Sequence, residues 1–304
     1  MAVHDYLDPD VAYLLGALVA RGTLINDKGI YRLIVRFPKG HMIAEGVNLR
    51  FDTTKEIRLG IEKIRDRISE LIAADIKTVD TADSIDLVAV SSRHSVAWRN
   101  LSLLLDYKTD FAYFKVPSVL LEGDTPVECK HEFMRGFADV AGNVRLANRD
   151  QAGRNRVRLD ILNYPTNWDV PVQLCTLLQD HLGIPVPVIT WGHPNLGREW
   201  REHQLNVYCE DFLKVGFFFD FKQVALESLA EANVRDFPGY ETKPCPGRRK
   251  KRFTKPHHPL ESCSEKLDPR LVGKHFNAYW EICKALGCKR EPPPGAQLEI
   301  PFEE

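Results

Sequence analysis

The sequence predicts an α/β chain made of two copies of one αββαββα unit, followed by a basic C-terminal extension carrying Cys and His residues. Three observations carry this. YLLGALVARG at 13–22 returns as FMRGFADVAG at 133–142, and each reads as a helix of small and apolar residues that stops at a Gly and runs straight into a strand-like segment. The same order of elements follows each helix. Each copy then ends alike, in LLLDYK at 103–108 and FFFDFK at 217–222. Short Leu- and Gly-rich helices recur by chance, but chance does not also reproduce the order of elements and the ending.

In the first copy, TLIND and IYRLIVRF flank a turn at Asp27, Lys28 and Gly29. The stretch TKEIRLGIEKIRDRISELI places Ile57, Ile61, Ile64, Ile68 and Leu71 at steps of three and four, which marks one buried face of a helix. DIKTVD and SIDLVAV read as strands, and HSVAWRNLSLLL as the closing helix. The second copy runs NVRLANR, RVRLDILN, a helix around VPVQLCTLLQDHL, then VPVITW, HQLNVYC and a final helix from EDFLKVGFFF. KVPSVLLEG at 115–123, with breakers Pro117 and Gly123, joins the two, so the expected units are 1–121, 122–235 and a C-terminal region 236–304. Gly16 and Ala20 lie four apart on one helix face, with Gly136 and Val140 opposing them, so the two backbones are expected to approach closely.

A chain of 304 residues with 44% hydrophobic content has ample material for a buried core, and no run approaches the roughly 18 apolar residues of a membrane span. The N-terminus MAVHDYLDPDV is too polar and acidic for a secretory signal, and seven cysteines without framework spacing suit a reducing compartment. The expectation is an intracellular protein, in the cytoplasm or nucleoid. The net charge of −1 points to no particular partner, but its distribution is uneven. Acids gather in 62–87, while Arg145, Arg149, Arg154, Arg156 and Arg158 cluster, as do the cations of 243–255.

The paired Gly-terminated helices resemble the signature helices of the LAGLIDADG homing endonuclease family, over roughly residues 8–235, in its monomeric, duplicated form. The resemblance implies that eight strands form a curved saddle whose concave face covers duplex DNA. It also implies an acid just before each closing Gly, where two acids hold divalent metal that positions water and stabilises the leaving oxygen. Here those positions are Arg21 and Ala141, so the chain resembles a degenerate member. A cation at a helix C-terminus is favourable by about 0.3–1 kcal/mol on an exposed site, which suits Arg21 to stability or phosphate contact. Asp139 lies two residues before Ala141, about 200° around the helix, and cannot take the acid's place. Lys108 and Lys222 resemble the basic residues that flank the scissile phosphates in active members, and read otherwise as solvated or phosphate-contacting lysines.

Strand alternation separates the face expected to meet DNA from the core face. In RVRLDILN, Val157, Leu159 and Ile161 point inward, with Arg156, Arg158 and Asp160 outward. In NVRLANR, Val144 and Leu146 point inward, with Asn143, Arg145 and Arg149 outward. In HQLNVYC, Leu205 and Val207 point inward, with Gln204, Asn206 and Tyr208 outward. Arg32 and Arg36 share a face with Ile30 and Ile34. Arg is bidentate to guanine and Asn or Gln to adenine, so these are residue types that read base edges; an ordinary half-buried sheet also turns polar residues to solvent.

From about 236 the chain is Pro-rich and basic, and Arg248, Arg249, Lys250, Lys251 and Arg252 suit an arm along a phosphate backbone or in a minor groove. DPRLVGKHFNAYWEICKALGC then reads as a helical unit with Phe276, Tyr279, Trp280 and Cys283 on its apolar face. Cys245, Cys263, Cys283 and Cys288 are candidate ligands of a structural zinc, at an untypical spacing; free thiols are the alternative. Three functions stay open. The first is sequence-specific binding of double-stranded DNA, as a regulator or as the recognition component of a larger system with other protein subunits. The others are a Mg-dependent endonuclease or nickase with a displaced site, and a protein-interaction module.

Overall fold

The computed structural model describes residues 6–44, 53–91, 95–146, 153–162, 170–193 and 202–238, with the backbone of 275–276. Its centre is a pair of helices, α1 (Pro9–Arg21) and α4 (Val127–Ala141). Asp8 caps α1 by accepting from the Val11 amide at 2.8 Å, and Pro9 fills the first turn, where a missing N–H costs nothing. The two helices touch backbone to backbone. A Cβ added to Gly16 would lie 2.0 Å from the Phe133 carbonyl oxygen, and one added to Gly136 would lie 2.0 Å from the Tyr13 carbonyl oxygen. The expectation drawn from Gly16 and Gly136 is met, with each glycine seated on the other helix.

Each of these helices turns directly into a strand, α1 into β1 (Gly22–Asp27) and α4 into β5 (Gly142–Arg145). Two antiparallel sheets follow. In the first, β1, β2 (Ile30–Pro38), β3 (Ile76–Asp80) and β4 (Ser84–Ser91) take the order β1-β2-β4-β3. In the second, β5, β6 (Arg156–Leu162), β7 (Val188–His193) and β8 (Glu202–Tyr208) take the corresponding order β5-β6-β8-β7. Lys28 and Gly29, both at positive φ, make the tight turn between β1 and β2. A parallel bridge between Ala44 and Val144 ties the first unit to the second sheet.

The inner face of each sheet packs on the helices. Leu24, Leu33, Val35, Phe37 and Leu87 line it in the first, and Val144, Val157, Leu159, Leu205 and Val207 in the second. α2 (Thr53–Ile72) buries Ile61, Ile64 and Ile68 as its periodicity predicts, and its Gly60 leaves room for the Phe219 ring. α3 (Val96–Leu104) closes the first unit, and α5 (Val170–Thr176) runs into a π-type turn at Leu177–His181 in the second. The joining stretch is part of the core, since Val116, Val119 and Leu120 are buried. Cys129, Cys175 and Cys209 are buried in the core.

Two expectations are corrected. The final helix does not run through EDFLKVGFFF: α6 (Cys209–Phe212) is a single turn, Gly216 takes φ +68°, and a separate helix α7 (Asp220–Asp236) follows. Breaking there lets Phe217, Phe219 and Phe221 all enter the core. The second correction concerns His275–Phe276, placed by its sequence in a helix. It is instead a strand, β9, paired with β7, so the second sheet has five strands where four were expected. That pairing meets β7 at Ile189 and Thr190. The rest of the C-terminal region lies outside the described residues, as do its expected helix and arm. Among the described residues no helix is long and apolar enough to cross a membrane.

The helix contact is testable. Gly16→Ala and Gly136→Ala each drive a methyl into a backbone carbonyl, and each is expected to lose about 3 kcal/mol or more in urea unfolding. Gly123→Ala, where nothing lies within 4 Å, stays within about 0.5 kcal/mol of the parent.

Candidate nucleic-acid interface

The ends of α1 and α4 carry a buried polar network in place of two acids. Arg21 is buried, and its Nη1 donates to the Ala20 carbonyl at 2.6 Å and its Nη2 to the Asp160 carbonyl at 3.2 Å. Arg21, expected to serve stability or phosphate contact, thus directs two of its N–H groups at backbone carbonyls inside the protein. Ala141 is fully buried. The Asp160 carboxylate, expected outward, is enclosed by donors, accepting from Asn143 Nδ2 at 2.9 Å and from Arg158 Nε and Nη2 at 3.1 and 3.0 Å. His41 Nε2 lies 3.9 Å from the same carboxylate. Burial first, then the charges of Arg21, Lys222 and Arg158, push His41 well below the usual histidine value, so at neutral pH this contact is not an ion pair.

Lys222 is likewise corrected from a solvated lysine to a fully buried one. Its Nζ donates to the carbonyls of Asp139 at 2.7 Å and Gly142 at 2.9 Å, satisfying the C-terminal end of α4 from inside. Asp139 points into the same interior. Its carboxylate accepts from the Tyr13 hydroxyl at 2.8 Å across the two units and from the Phe218 amide at 3.2 Å. Burial raises Asp139 and lowers Lys222, and each charge opposes the other's shift. Lys108, at the matching place in the first unit, is exposed.

A divalent metal does not fit these helix ends. The residues before the closing glycines are a guanidinium and a methyl group, and the charges that depress His41 are all positive. Among the described residues no three His, Cys, Asp or Glu side chains gather as a ligand set.

Strand register places the remaining candidates on shared rungs of the outer sheet faces. In the second sheet Arg145 pairs with Arg156 and Arg156 with Tyr208, while Asn143 pairs with Arg158 and Arg158 with Asn206. Asp160 pairs with Gln204. In the first sheet Arg32 lies between Ile25 and Val90, and Arg36 opposite Asp86, at 3.5 Å between Nε and Oδ2. The surface placement expected for four of these is corrected. Asn143, Gln204, Asn206 and Tyr208 are buried, leaving Arg145, Arg156 and Arg158 as the half-exposed layer above them. Part of the reason is Arg154, which stacks over the Tyr208 ring at 3.9 Å and pairs with Glu210. Leu146, expected inward, is exposed.

Arg149, Arg248, Arg249, Lys250, Lys251, Arg252 and the four cysteines Cys245, Cys263, Cys283 and Cys288 lie outside the described residues. Two contributors escaped sequence reading. Lys77 joins the outer face opposite Val88, which period-two counting along DIKTVD would have found. His41, in a short 3-10 turn at Lys39–His41, had no periodicity to mark it.

Two αββαββα units joined through glycine-seated helices define a LAGLIDADG-like fold. No family model and no curated protein sequence matches the chain. Among solved structures it is similar to I-DmoI in complex with DNA and Ca, at 16% identity over 72% of this chain and 97% of that one, with a TM-score of 0.41. It is also similar to I-DmoI in complex with DNA and Mn, at 16% identity over 70% and 94%, TM-score 0.37. A third likeness is to full-length WhiA from Thermatoga maritima, at 14% identity over 75% of this chain and 60% of that one, TM-score 0.40. Low identities and TM-scores of this size mark a loose overlap, and the fold assignment rests on element order and strand pairing.

Removing one side of the buried network should be severe. Lys222→Met leaves two carbonyls without their donor and the buried Asp139 carboxylate without its nearby cation, for an expected loss of about 3–5 kcal/mol in urea unfolding, part of which the added Asp139→Asn change restores. The pH dependence has a separate handle. Burial lowers His203 from 6.5 to about 3. Across that window the unfolded chain holds a proton that the folded chain lacks, so this contribution to stability is lost as pH falls. Asp139, raised from 3.8 to about 6, has the opposite sign between those values. Melts from pH 7 to 5 should show His203→Gln with about one proton less acid destabilisation than the parent.

Proposed function

We propose that this chain binds double-stranded DNA in a sequence-dependent way along the outer faces of its two sheets, without cutting it, as a regulator or a recognition component. The observation that carries this reading is the alignment of cations on register-matched rungs: Arg145 beside Arg156, with Arg158 one rung away, and Arg32, Arg36 and Lys77 on the corresponding face of the first sheet. Such rows suit phosphate contact and guanine readout, while the inner faces are occupied by core. Non-cleavage is supported by the helix ends, where a buried guanidinium and a methyl group stand in place of the two acids. Both units lie in one chain, so the reading requires a monomer only.

Selection from a randomised duplex library with magnesium present, sequencing both retained DNA and broken ends, tests it. Retained, intact DNA sharing a motif is expected. Broken ends at a fixed position would overturn the non-cleaving part, and absence of enrichment would overturn DNA binding altogether. Arg32→Ala and Lys77→Ala should each weaken binding and reduce the salt slope by about one where the side chain meets a phosphate, as measured by titration across salt concentrations.

A further inference from the structure

The two outer faces share a register but differ in chemistry. In the second sheet one rung reads Asn143, Arg158, Asn206, whereas the corresponding rung of the first sheet reads Thr23, Ile34, Val88. The flanking rung is Arg145, Arg156, Tyr208 in the second sheet and Ile25, Arg32, Val90 in the first. Branched aliphatic side chains on the first face are left uncovered: Ile30 is 41% exposed, Val79 45% and Val90 48%. Ile34 and Val88 are half-buried between them.

Building on the DNA-binding reading, we infer that this face reads thymine, packing Ile34, Val88 and Val90 against C5-methyl groups in the major groove. The methyl of thymine is the apolar feature that B-DNA presents there, and a two-stranded β-ribbon fits that groove. Charge favours DNA over a protein as the occupant. Arg32 and Lys77 stand among the aliphatic residues and make no ion pair among the described residues, and unpaired lysine is depleted from the centres of protein–protein contacts. Interleaved methyls and free cations instead complement a groove lined by methyl groups and walled by phosphates. The second face, with guanidiniums uppermost, complements purine edges. The site is therefore expected to be asymmetric, with a thymine-bearing half under the first sheet and a guanine-bearing half under the second.

The test uses the full chain and the duplex it retains from the randomised library, with thymines replaced by deoxyuridine in one half at a time. Each contacted methyl removed should weaken binding about fourfold, in one half only. The same replacement should have no effect on the Ile34→Ser/Val88→Ser/Val90→Ser variant, whose side chains present no methyl group to thymine. Circular dichroism verifies that the variant is folded. Tight binding that is indifferent to deoxyuridine in both halves overturns the inference and leaves the DNA reading standing. So does a deoxyuridine effect that persists undiminished in the variant. A variant that binds DNA as the parent does removes the aliphatic face from the DNA contact and also overturns the inference. If no duplex is retained, the DNA reading itself fails first.

Discussion

Everything in this molecule hangs on the contact between two helix backbones at Gly16 and Gly136. Because each glycine sits on a carbonyl of the opposite helix, α1 and α4 have no room for a side chain at those two positions and pack as one centre. The helices then deliver their strands from adjacent points, β1 from Gly22 and β5 from Gly142. Those two glycines take ordinary extended angles and are needed for space, since a Cβ at either would meet the preceding helical turn. The spacing of the two outer sheet faces is thereby set by four residues that have no side chain.

At the ends of the same helices the electrostatics run opposite to a metal site. A cation at a helix C-terminus satisfies carbonyls and meets the negative end of the dipole, and this chain uses the device in both units by different routes. In the first the cation is Arg21, within the helix itself. In the second it is Lys222, supplied from α7 to the end of α4. Asp139, Tyr13 and Lys222 link helix, helix and closing segment through buried polar contacts, which favour one arrangement over looser ones.

The fold was largely legible in the sequence, because a repeated helix with a closing glycine and strands of strict alternation leave few arrangements. The Gly16–Gly136 approach, the turn at Lys28 and Gly29, and the buried face of α2 all follow from local spacing. The site was less legible, for an identifiable reason. Alternation assigns Asn143, Asp160, Gln204 and Asn206 to the outer face correctly, as the register shows, yet it carries no information on what lies above that face. Arg154 over Tyr208, and Arg158 folded back onto Asp160, are tertiary facts. Lys222 shows the same limit, since a lysine two residues after FFFD reads as solvent-facing until the break at Gly216 turns it inward. The separate helix α7 was available to counting: Phe221, Ala225, Leu226, Leu229 and Ala230 fall at helical spacing.

The pairing of β9 with β7 makes the two sheets unequal at their outer margins. β3 ends the first sheet among the described residues, a strand of five residues bearing Lys77 and Asp80, with Asp80 paired to Lys39. Short, charged margins of this kind discourage another chain from adding a strand. β7 carries Val188 and Ile189 instead, and its margin is occupied by the chain's own C-terminal segment. One margin is thus protected from self-association by its composition and the other, at Ile189 and Thr190, by a neighbour from the same chain, so two chemically different devices keep the sheets from recruiting foreign strands.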